Sequence, residues 1–292
     1  RAERSFRSTG QLSQKRPRKR GGCAGPLRAL RREGRCQQRR TCGMRYSAPP
    51  VCAGTVGDGA FMKTKKEAEE LAKEMIQLGN LANRETVCVL TSMEEPLGYN
   101  VGNSLEVKEA IKALKGDIAE DVKQVVLEIG SYMLKLAGVE EDIEKCKKRL
   151  EENLNNGKAY EKFKQLVENQ SGDVTYISDT DNFEEAKYIE PIYSEETGYI
   201  YEIKAEAVGK IACSLGAGRV KKEDKIDPAV GIIFEKKVGD LVQKGNVLAY
   251  IHSNDLEKLK NAKEELTKVI KIRTDKVKKI KTIIKIIDGK IN

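Results

Sequence analysis

The stretch from residue 86 to residue 111 reads TVCVLTSMEEPLGYNVGNSLEVKEAI and decides the fold class. Residues 86–91 form a short, continuous apolar run between polar residues, which is typical of a buried parallel strand. Pro96 and Gly98 then favour a turn. Asn103, with Glu106 three residues later, has the pattern of a helix N-cap and capping box. Strand, loop and helix in this order predict an α/β layer fold, with the loop at the edge of the sheet where such folds bind ligands.

Helical periodicity flanks this stretch on both sides. A glycine-rich turn at residues 56–61 precedes an amphipathic helix that is predicted over about 64–81. Downstream, we predict helices over about 103–114, 117–137, 140–153 and 158–168 from the spacing of apolar residues. Together these elements predict an α/β domain over residues 56–170.

From residue 171 the pattern changes to short strands separated by glycine turns. We predict strands at 188–189, 198–203, 231–234, 239–242 and 247–252, and a short helix over 208–215. This arrangement resembles a hammerhead or biotinyl-lipoyl type of α+β module over residues 171–253. No Met-Lys-Met-like tripeptide presents a carrier lysine, so we expect a structural role for this module.

The last segment, residues 254–292, is rich in lysine. Apolar residues recur at helical spacing over about 254–285: Leu256, Leu259, Leu266, Val269, Ile270, Val277 and Ile280. The spacing predicts an amphipathic helical tail that packs on the body of the protein or on a partner. Binding to a membrane surface is the alternative.

Charge is distributed unevenly along the chain. The whole sequence has a net charge of +9, but residues 1–55 alone carry 13 Arg, 2 Lys and 2 Glu, and residues 56–292 have a net charge of −4. This distribution excludes a chain that is basic throughout and binds nucleic acid over its whole surface. Residues 1–55 show no helical or strand period, and their composition predicts disorder.

Three interpretations of residues 1–55 stay open. Residues 14–20, QKRPRKR, could form a basic arm that binds phosphate backbones or serves as a localisation signal. The four cysteines of the segment could bind a metal, although their spacing includes no C-x-x-C pair. The abrupt change from arginine to lysine near Thr55 is also what an out-of-frame or chimeric join would produce.

Membrane-spanning and secreted proteins are not predicted. No stretch approaches the roughly 18 consecutive apolar residues of a membrane-spanning helix. The basic segment is not followed by the apolar core of a secretory signal. Cys88, Cys146 and Cys213 lie in apolar or helical contexts, which are typical of reduced thiols. We therefore expect a cytoplasmic protein with no membrane partner.

Four motifs resemble the pyrimidine-nucleoside phosphorylase and thymidine phosphorylase family. They are GDGAFMKT at 57–64, EEPLGYNVGNSLEVKEAI at 94–111, GAGRVKKEDKIDPAVGI at 216–232 and KKVGDLVQKGNVLAYIH at 236–252. They occur in the family's order and cover about residues 56–252. The resemblance implies a partial α/β glycosyltransferase domain, then the family's C-terminal hammerhead domain. It places His252, the single histidine, away from the chemistry.

The resemblance implies reversible phosphorolysis of a pyrimidine nucleoside to a free base and a pentose 1-phosphate, by a cytoplasmic homodimer. Phosphate is the co-substrate and K⁺ a structural cation. Phe61 matches an aromatic residue that lines the nucleoside pocket. Leu97, Asn100 and Glu109 match the positions that bind the cation, the first two through backbone carbonyls and the third through its carboxylate. Spacing alone would make Glu106 a cap and Glu109 a solvated carboxylate.

Other elements of the family's pattern are absent from this sequence. The family's phosphate loop has the form Lys-x-Ser-Thr-Gly-Gly, and only Arg7-Ser8-Thr9-Gly10-Gln11 approaches it. The serine and lysine that contact the base are absent too, and we name no catalytic residue. We therefore expect the chain by itself to be inactive. The alternative function is a non-enzymatic protein that uses its basic arm to bind nucleic acid on a phosphorylase-derived scaffold.

Overall fold

A computed structural model describes residues 51–219 and 221–289 of the chain, all within one unit. Ten strands are described: β1 (Val51–Val56), β2 (Val87–Ser92), β3 (Asn100–Val101), β4 (Tyr188–Tyr193), β5 (Gly198–Ile203), β6 (Gly231–Phe234), β7 (Leu241–Val242), β8 (Val247–Ser253), β9 (Ile270–Arg273) and β10 (Ile283–Asp288). Eight α-helices are described: α1 (Lys65–Leu81), α2 (Asn103–Leu114), α3 (Glu120–Leu136), α4 (Ile143–Asn155), α5 (Lys158–Asn169), α6 (Thr175–Ser178), α7 (Ala205–Ala212) and α8 (Leu256–Val269).

The α/β layer is the three-stranded sheet β1-β2-β10 with helices α1 and α3 against it. The central strand β2 pairs in parallel with β1 and antiparallel with β10. Its Cys88 and Leu90 pack against Ala72 and Ile76 of α1. Val87 and Val89, which alternate with them along the strand, are buried as well, which is the pattern expected of a strand covered on both faces. The predicted buried parallel strand is therefore confirmed.

The C-terminal module comprises β4 to β9 with α7 and α8. It contains a four-stranded sheet of order β3-β6-β8-β4 and a three-stranded sheet of order β7-β5-β9. The strand β3 reaches this module from the loop after β2 and pairs antiparallel with β6. One cluster of buried residues, including Ile232, Ile251 and Leu266, fills the space between the sheets and the helices. The predicted mixed α/β architecture is thus confirmed.

Two predicted boundaries differ from the structure. Residues 51–55, which we assigned to the basic segment, belong to β1 and pair in register with β2. The tail is also different, because the helix α8 ends at Val269 and two strands follow it. β9 pairs with β5, and β10 pairs with β2. The β-branched runs at Ile270, Ile272 and residues 283–287 favour strands once a partner edge is available. The predictions for residues 1–50 lie outside the described residues.

The start of α2 is the third difference. The N-cap residue is Gly102 rather than Asn103, and the cap has no side-chain acceptor. Glu106 still contacts the cap, since its Oε1 accepts a hydrogen bond from the Gly102 amide at 3.1 Å, four residues earlier. Gly102 lies where a Cβ would meet the backbone oxygen of Val230 at 2.5 Å, so the close approach of the two chains at the end of the β3–β6 pair selects glycine. Among the described residues, no helix is long and apolar enough to span a bilayer.

Candidate functional site

The two loops that follow β1 and β2 lie side by side at one edge of the sheet, because the two strands are parallel. The glycine turn, residues 57–63, follows β1, and the bridging loop, residues 93–102, follows β2. The Gly59 amide donates to the Met93 carbonyl at 3.0 Å, and the Met93 amide donates to the Val56 carbonyl at 2.7 Å. A Cβ on Gly57 would lie 2.6 Å from the Glu94 carboxylate. The loops are therefore held in direct contact.

The glycine turn presents Phe61 to solvent. Its side chain is 99 % exposed. It lies at the rim of an apolar cleft of about 190 Å³ whose lining includes Cys52, Leu71 and Met75. An aromatic ring in this position offers a face on which a flat heterocyclic base can stack.

Asn100 and Glu109 line a different cleft, of about 390 Å³, together with Lys112, Asp117 and Glu235. Leu97 is 47 % exposed on the bridging loop, three residues before Asn100. The structure therefore brings Leu97, Asn100 and Glu109 into one region and leaves Phe61 in another.

Glu109 holds the end of the bridging loop. Its two carboxylate oxygens accept hydrogen bonds from the amides of Tyr99 at 2.8 Å and Asn100 at 3.2 Å. Gly98 has a φ of +70°, and a Cβ there would lie 2.7 Å from the Glu109 carboxylate, so glycine is required at this close approach. Burial raises the pKa of Glu109 above its usual value, and the two amide hydrogen bonds oppose that rise.

A buried lysine, Lys237, reaches the same loop from the C-terminal module. Its Nζ donates to the carbonyls of Pro96 and Gly98, the latter at 2.9 Å. Its ion-pair partners are Asp121 of α3 at 3.2 Å and Glu95 at 3.8 Å. Burial also raises the pKa of Glu95, and the Lys237 charge opposes this effect.

Carboxylates and lysines both lie in this region. Glu95 and Asp121 pair with the Lys237 ammonium, and Glu109 shares its cleft with Lys112. In the part of the chain that the structure describes, no three His, Cys, Asp or Glu side chains converge as a metal site.

A second contact joins the glycine turn to the C-terminal module. Asp58 accepts a hydrogen bond from the Glu206 amide at 2.9 Å, in the first turn of α7. The residue at the N-cap of that helix, Lys204, supplies no side-chain acceptor. Asp58 therefore caps α7 from a different part of the chain, and Lys63 pairs with Glu206 at 3.0 Å beside it.

Sequence reasoning missed these bridging residues. Lys237 follows Lys236 in a glycine-rich turn and resembles an ordinary surface lysine there. Asp58 lies within the GDGAFMKT motif and Asp121 within a predicted helix, and neither position has a local pattern that predicts a distant contact. His252 lies in β8, half-buried, and burial lowers its pKa below the usual histidine value. A neutral histidine opposite Ile189 of β4 is consistent with the predicted structural role.

Comparison with known proteins adds two domain matches. Residues 51–160 match the glycosyl transferase family a/b domain, and residues 199–273 match the pyrimidine nucleoside phosphorylase C-terminal domain.

Individual relatives show the same similarity. The chain is 46 % identical over 198 residues to a pyrimidine-nucleoside phosphorylase of Bacillus subtilis, covering 68 % of this chain and 46 % of the relative. It is 44 % identical over 216 residues to one of Geobacillus stearothermophilus, covering 74 % of this chain and 50 % of the relative. The chain therefore spans about half the length of the curated relatives it matches.

Proposed function

Through residues 51–160 and 199–273 the chain belongs to the pyrimidine-nucleoside phosphorylase family, and from this premise we propose that its protein catalyses phosphorolysis of pyrimidine nucleosides. The observation that carries the proposal is that the two matched regions meet at the bridging loop. The loop follows the strand β2 of the first region, and its strand β3 pairs with β6 of the second region. The matches do not favour the alternative of a nucleic-acid-binding protein.

The reaction transfers a pentosyl group to phosphate. A phosphate oxygen forms a bond to the anomeric carbon as the bond from that carbon to the pyrimidine nitrogen breaks. The bonding electrons leave with the base, which therefore gains negative charge. Groups that stabilise this charge and that hold the phosphate act in the transition state, and closure of the site excludes water as a competing nucleophile.

The described residues contribute one wall of such a site. The proposal places Phe61 against the nucleoside, because its ring is exposed at the rim of an apolar cleft beside the carboxyl end of β1. It places no catalytic residue within residues 51–219 and 221–289. Residues 7–11, which approach the phosphate-loop pattern, lie outside the described residues.

We further propose that Leu97, Asn100 and Glu109 bind K⁺. Two features fit this assignment. The Glu109 carboxylate keeps lone pairs free beyond the two amide hydrogen bonds that it accepts. Asn100 and Glu109 also line the same cleft. A bound cation would tie the bridging loop to the remaining ligands of the intact enzyme and would neutralise Glu109.

The remaining proposals follow from family membership. We propose that the intact enzyme is a cytoplasmic homodimer, and that the C-terminal module is of the hammerhead type with a structural role. The two packed sheets with α7 and α8 support that type. The described cysteines Cys52, Cys88, Cys146 and Cys213 are free thiols, as a reducing compartment requires.

A hybrid enzyme tests the proposed function. In it, the 198 matched residues of this chain replace their counterparts in the Bacillus subtilis relative. We expect phosphate-dependent release of uracil from uridine at a rate within about a hundredfold of the parent, since small misplacements at a hybrid seam cost about that much. The 292-residue chain by itself is the control, and we expect no turnover from it. A folded hybrid without phosphate-dependent base release would contradict the proposal.

A matched pair of variants tests the cation site in the same hybrid. Glu109→Gln removes the negative charge that, in this proposal, binds K⁺, so we expect the enzyme to require a higher K⁺ concentration. Glu106→Gln is the control, because glutamine also accepts a hydrogen bond from the Gly102 amide. If Glu106→Gln altered the K⁺ response and Glu109→Gln did not, the assignment of the cation to Glu109 would be wrong.

A further inference from the structure

Lys237 is a buried lysine of the C-terminal module. It lies in the turn between β6 and β7, and its side chain is only 9 % exposed. A lysine is rarely buried unless its ammonium is paired, because desolvation of an unpaired charge costs several kcal/mol. The partners of Lys237 therefore indicate why this position carries a lysine.

Those partners belong to the α/β layer and the bridging loop. The ammonium binds the carbonyls of Pro96 and Gly98, which are the residues on either side of Leu97. It also pairs with Asp121 of α3, whose Oδ2 accepts a hydrogen bond from the Gly98 amide at 3.0 Å. Both backbone groups of Gly98 are thus fixed, the carbonyl by Lys237 and the amide by Asp121.

Tyr99 continues this arrangement toward Glu109. Its ring lies 5.7 Å from the Lys237 ammonium, its carbonyl accepts from the Phe234 amide at 2.8 Å, and its amide donates to Glu109. The Lys237 ammonium therefore fixes the backbone at residues 96–98, immediately before the Tyr99 and Asn100 amides that donate to Glu109. With Pro96 and Gly98 turned toward Lys237, the carbonyl of Leu97 between them takes no part in that contact.

We infer that Lys237 is a positioning residue, which holds residues 96–100 in the shape that presents the Leu97 and Asn100 carbonyls and the Glu109 carboxylate to a monovalent cation. This inference rests on the proposed function. Lys237 touches neither nucleoside nor phosphate, and it acts through the loop. Because it belongs to the C-terminal module, it also makes the cation site depend on how that module sits against the α/β layer.

Hydrogen exchange in the full 292-residue chain tests the positioning role directly. Lys237→Met keeps most of the side-chain volume but leaves the Pro96 and Gly98 carbonyls without the ammonium. We expect the amides of Gly98, Tyr99 and Asn100 to exchange about tenfold faster or more, as loss of a charged hydrogen bond implies. Amides of β8 and exchange in Lys236→Met, a neighbouring lysine variant, should stay unchanged. If Lys237→Met does not fold, Lys237→Gln, which removes the charge, is measured instead.

The hybrid enzyme supplies the readout that a purely structural residue would not alter. Lys237→Met should raise the K⁺ concentration for half-maximal rate about tenfold, with the nucleoside KM unchanged and the rate recovered at high K⁺. An equal loss of rate at every K⁺ concentration, or unchanged exchange at residues 98–100, would overturn the inference. If the hybrid were inactive with Lys237 intact, the proposed function and the cation role would fail together, and the exchange measurement would still decide whether Lys237 holds the loop.

Discussion

The C-terminal module and the α/β layer bury very different amounts of apolar surface. Eighteen buried residues form the core of the module, drawn from both of its sheets and both of its helices. Six form the cluster between α1 and the sheet of the α/β layer, and Val87, Val89 and Leu127 of the layer are buried outside that cluster. In the layer, Leu71, Met75 and Leu78 of α1 remain exposed. Since buried apolar area is the main source of stability, the module stabilises itself better than the layer does.

This difference explains the contacts between the two regions. β3 pairs with β6, Lys237 binds the bridging loop, and Asp58 caps α7. Each contact attaches a loop of the weaker region to an element of the stronger one. The loops of the proposed site are therefore held by the C-terminal module as well as by the sheet from which they emerge.

Matched core truncations test the comparison with the largest expected effect. Ile251 of β8 and Ile76 of α1 are both fully buried. We expect Ile251→Ala to lower the free energy of unfolding by about 4 kcal/mol and Ile76→Ala by about 2–3 kcal/mol, because the smaller cluster lies beside a cleft and can relax. Chemical denaturation of both variants measures the two costs. A larger cost for Ile76→Ala would reverse the ranking of the regions.

The close approach of β3 and β6 is tested by a substitution at Gly231. Gly231 has a φ of +156°, and a Cβ there would lie 2.2 Å from the Val101 carbonyl. We expect Gly231→Ala to destabilise the protein by about 2–3 kcal/mol, because the two backbones must separate. Thermal unfolding measures this, with faster exchange of the β6 amides as a local readout.

Gly245→Ala is the control for this substitution. Gly245 also has a positive φ, of +89°, but a Cβ there would meet no atom within 4 Å. Its cost should be about 1 kcal/mol, from backbone strain alone. Equal costs at the two glycines would show that crowding between β3 and β6 contributes nothing.

Removal of the cap on α7 should have a smaller effect. Asp58→Ala leaves the Glu206 amide without its acceptor, and we expect a loss of about 1 kcal/mol, which is typical for a helix cap. Asp58→Asn retains an acceptor oxygen and should cost less. Thermal unfolding of the two variants separates the outcomes. If the asparagine variant lost as much as the alanine variant, the contact would not act as a cap.

The pH dependence at Glu206 is the smallest effect that we expect. Hydrogen bonds from Lys210 and Lys63 lower the pKa of Glu206 to about 2. A lowered pKa in the folded state means that its contribution to stability is present above the unfolded value near 4.5 and is lost as the pH falls toward 2. The group is exposed, so salt should weaken this contribution.

The measurement compares the native chain with Glu206→Gln. The small difference in their free energies of unfolding should be present at pH 7 and disappear between pH 4.5 and 2. A difference that persisted at pH 2, or that was insensitive to salt, would mean that the ion pairs with Lys63 and Lys210 are not its source.

Local pattern was sufficient for many elements of both regions. The strand β2, the helices α1 and α5, and the strand β5 lie within a residue or two of the predicted positions. Each depends on apolar spacing within one segment, and no distant partner changes it. Motif order was likewise enough to identify the family. The assignment of Leu97, Asn100 and Glu109 to a cation site stays a prediction.

Distant partners decided the remaining features. The spacing of Val269, Ile270, Val277 and Ile280 fits a helix. The residues after α8 instead form strands that pair with the edges of β5 and β2. Paired backbone groups and β-branched side chains favour a sheet there. Glycine is required at Gly102, the N-cap of α2, because the backbone of Val230 lies against it. The sequence by itself thus determined the family, the α/β class and the elements with local periodicity. Tertiary structure alone brought Lys237 to the bridging loop and Asp58 to the start of α7, since each partner lies more than a hundred residues away in the chain.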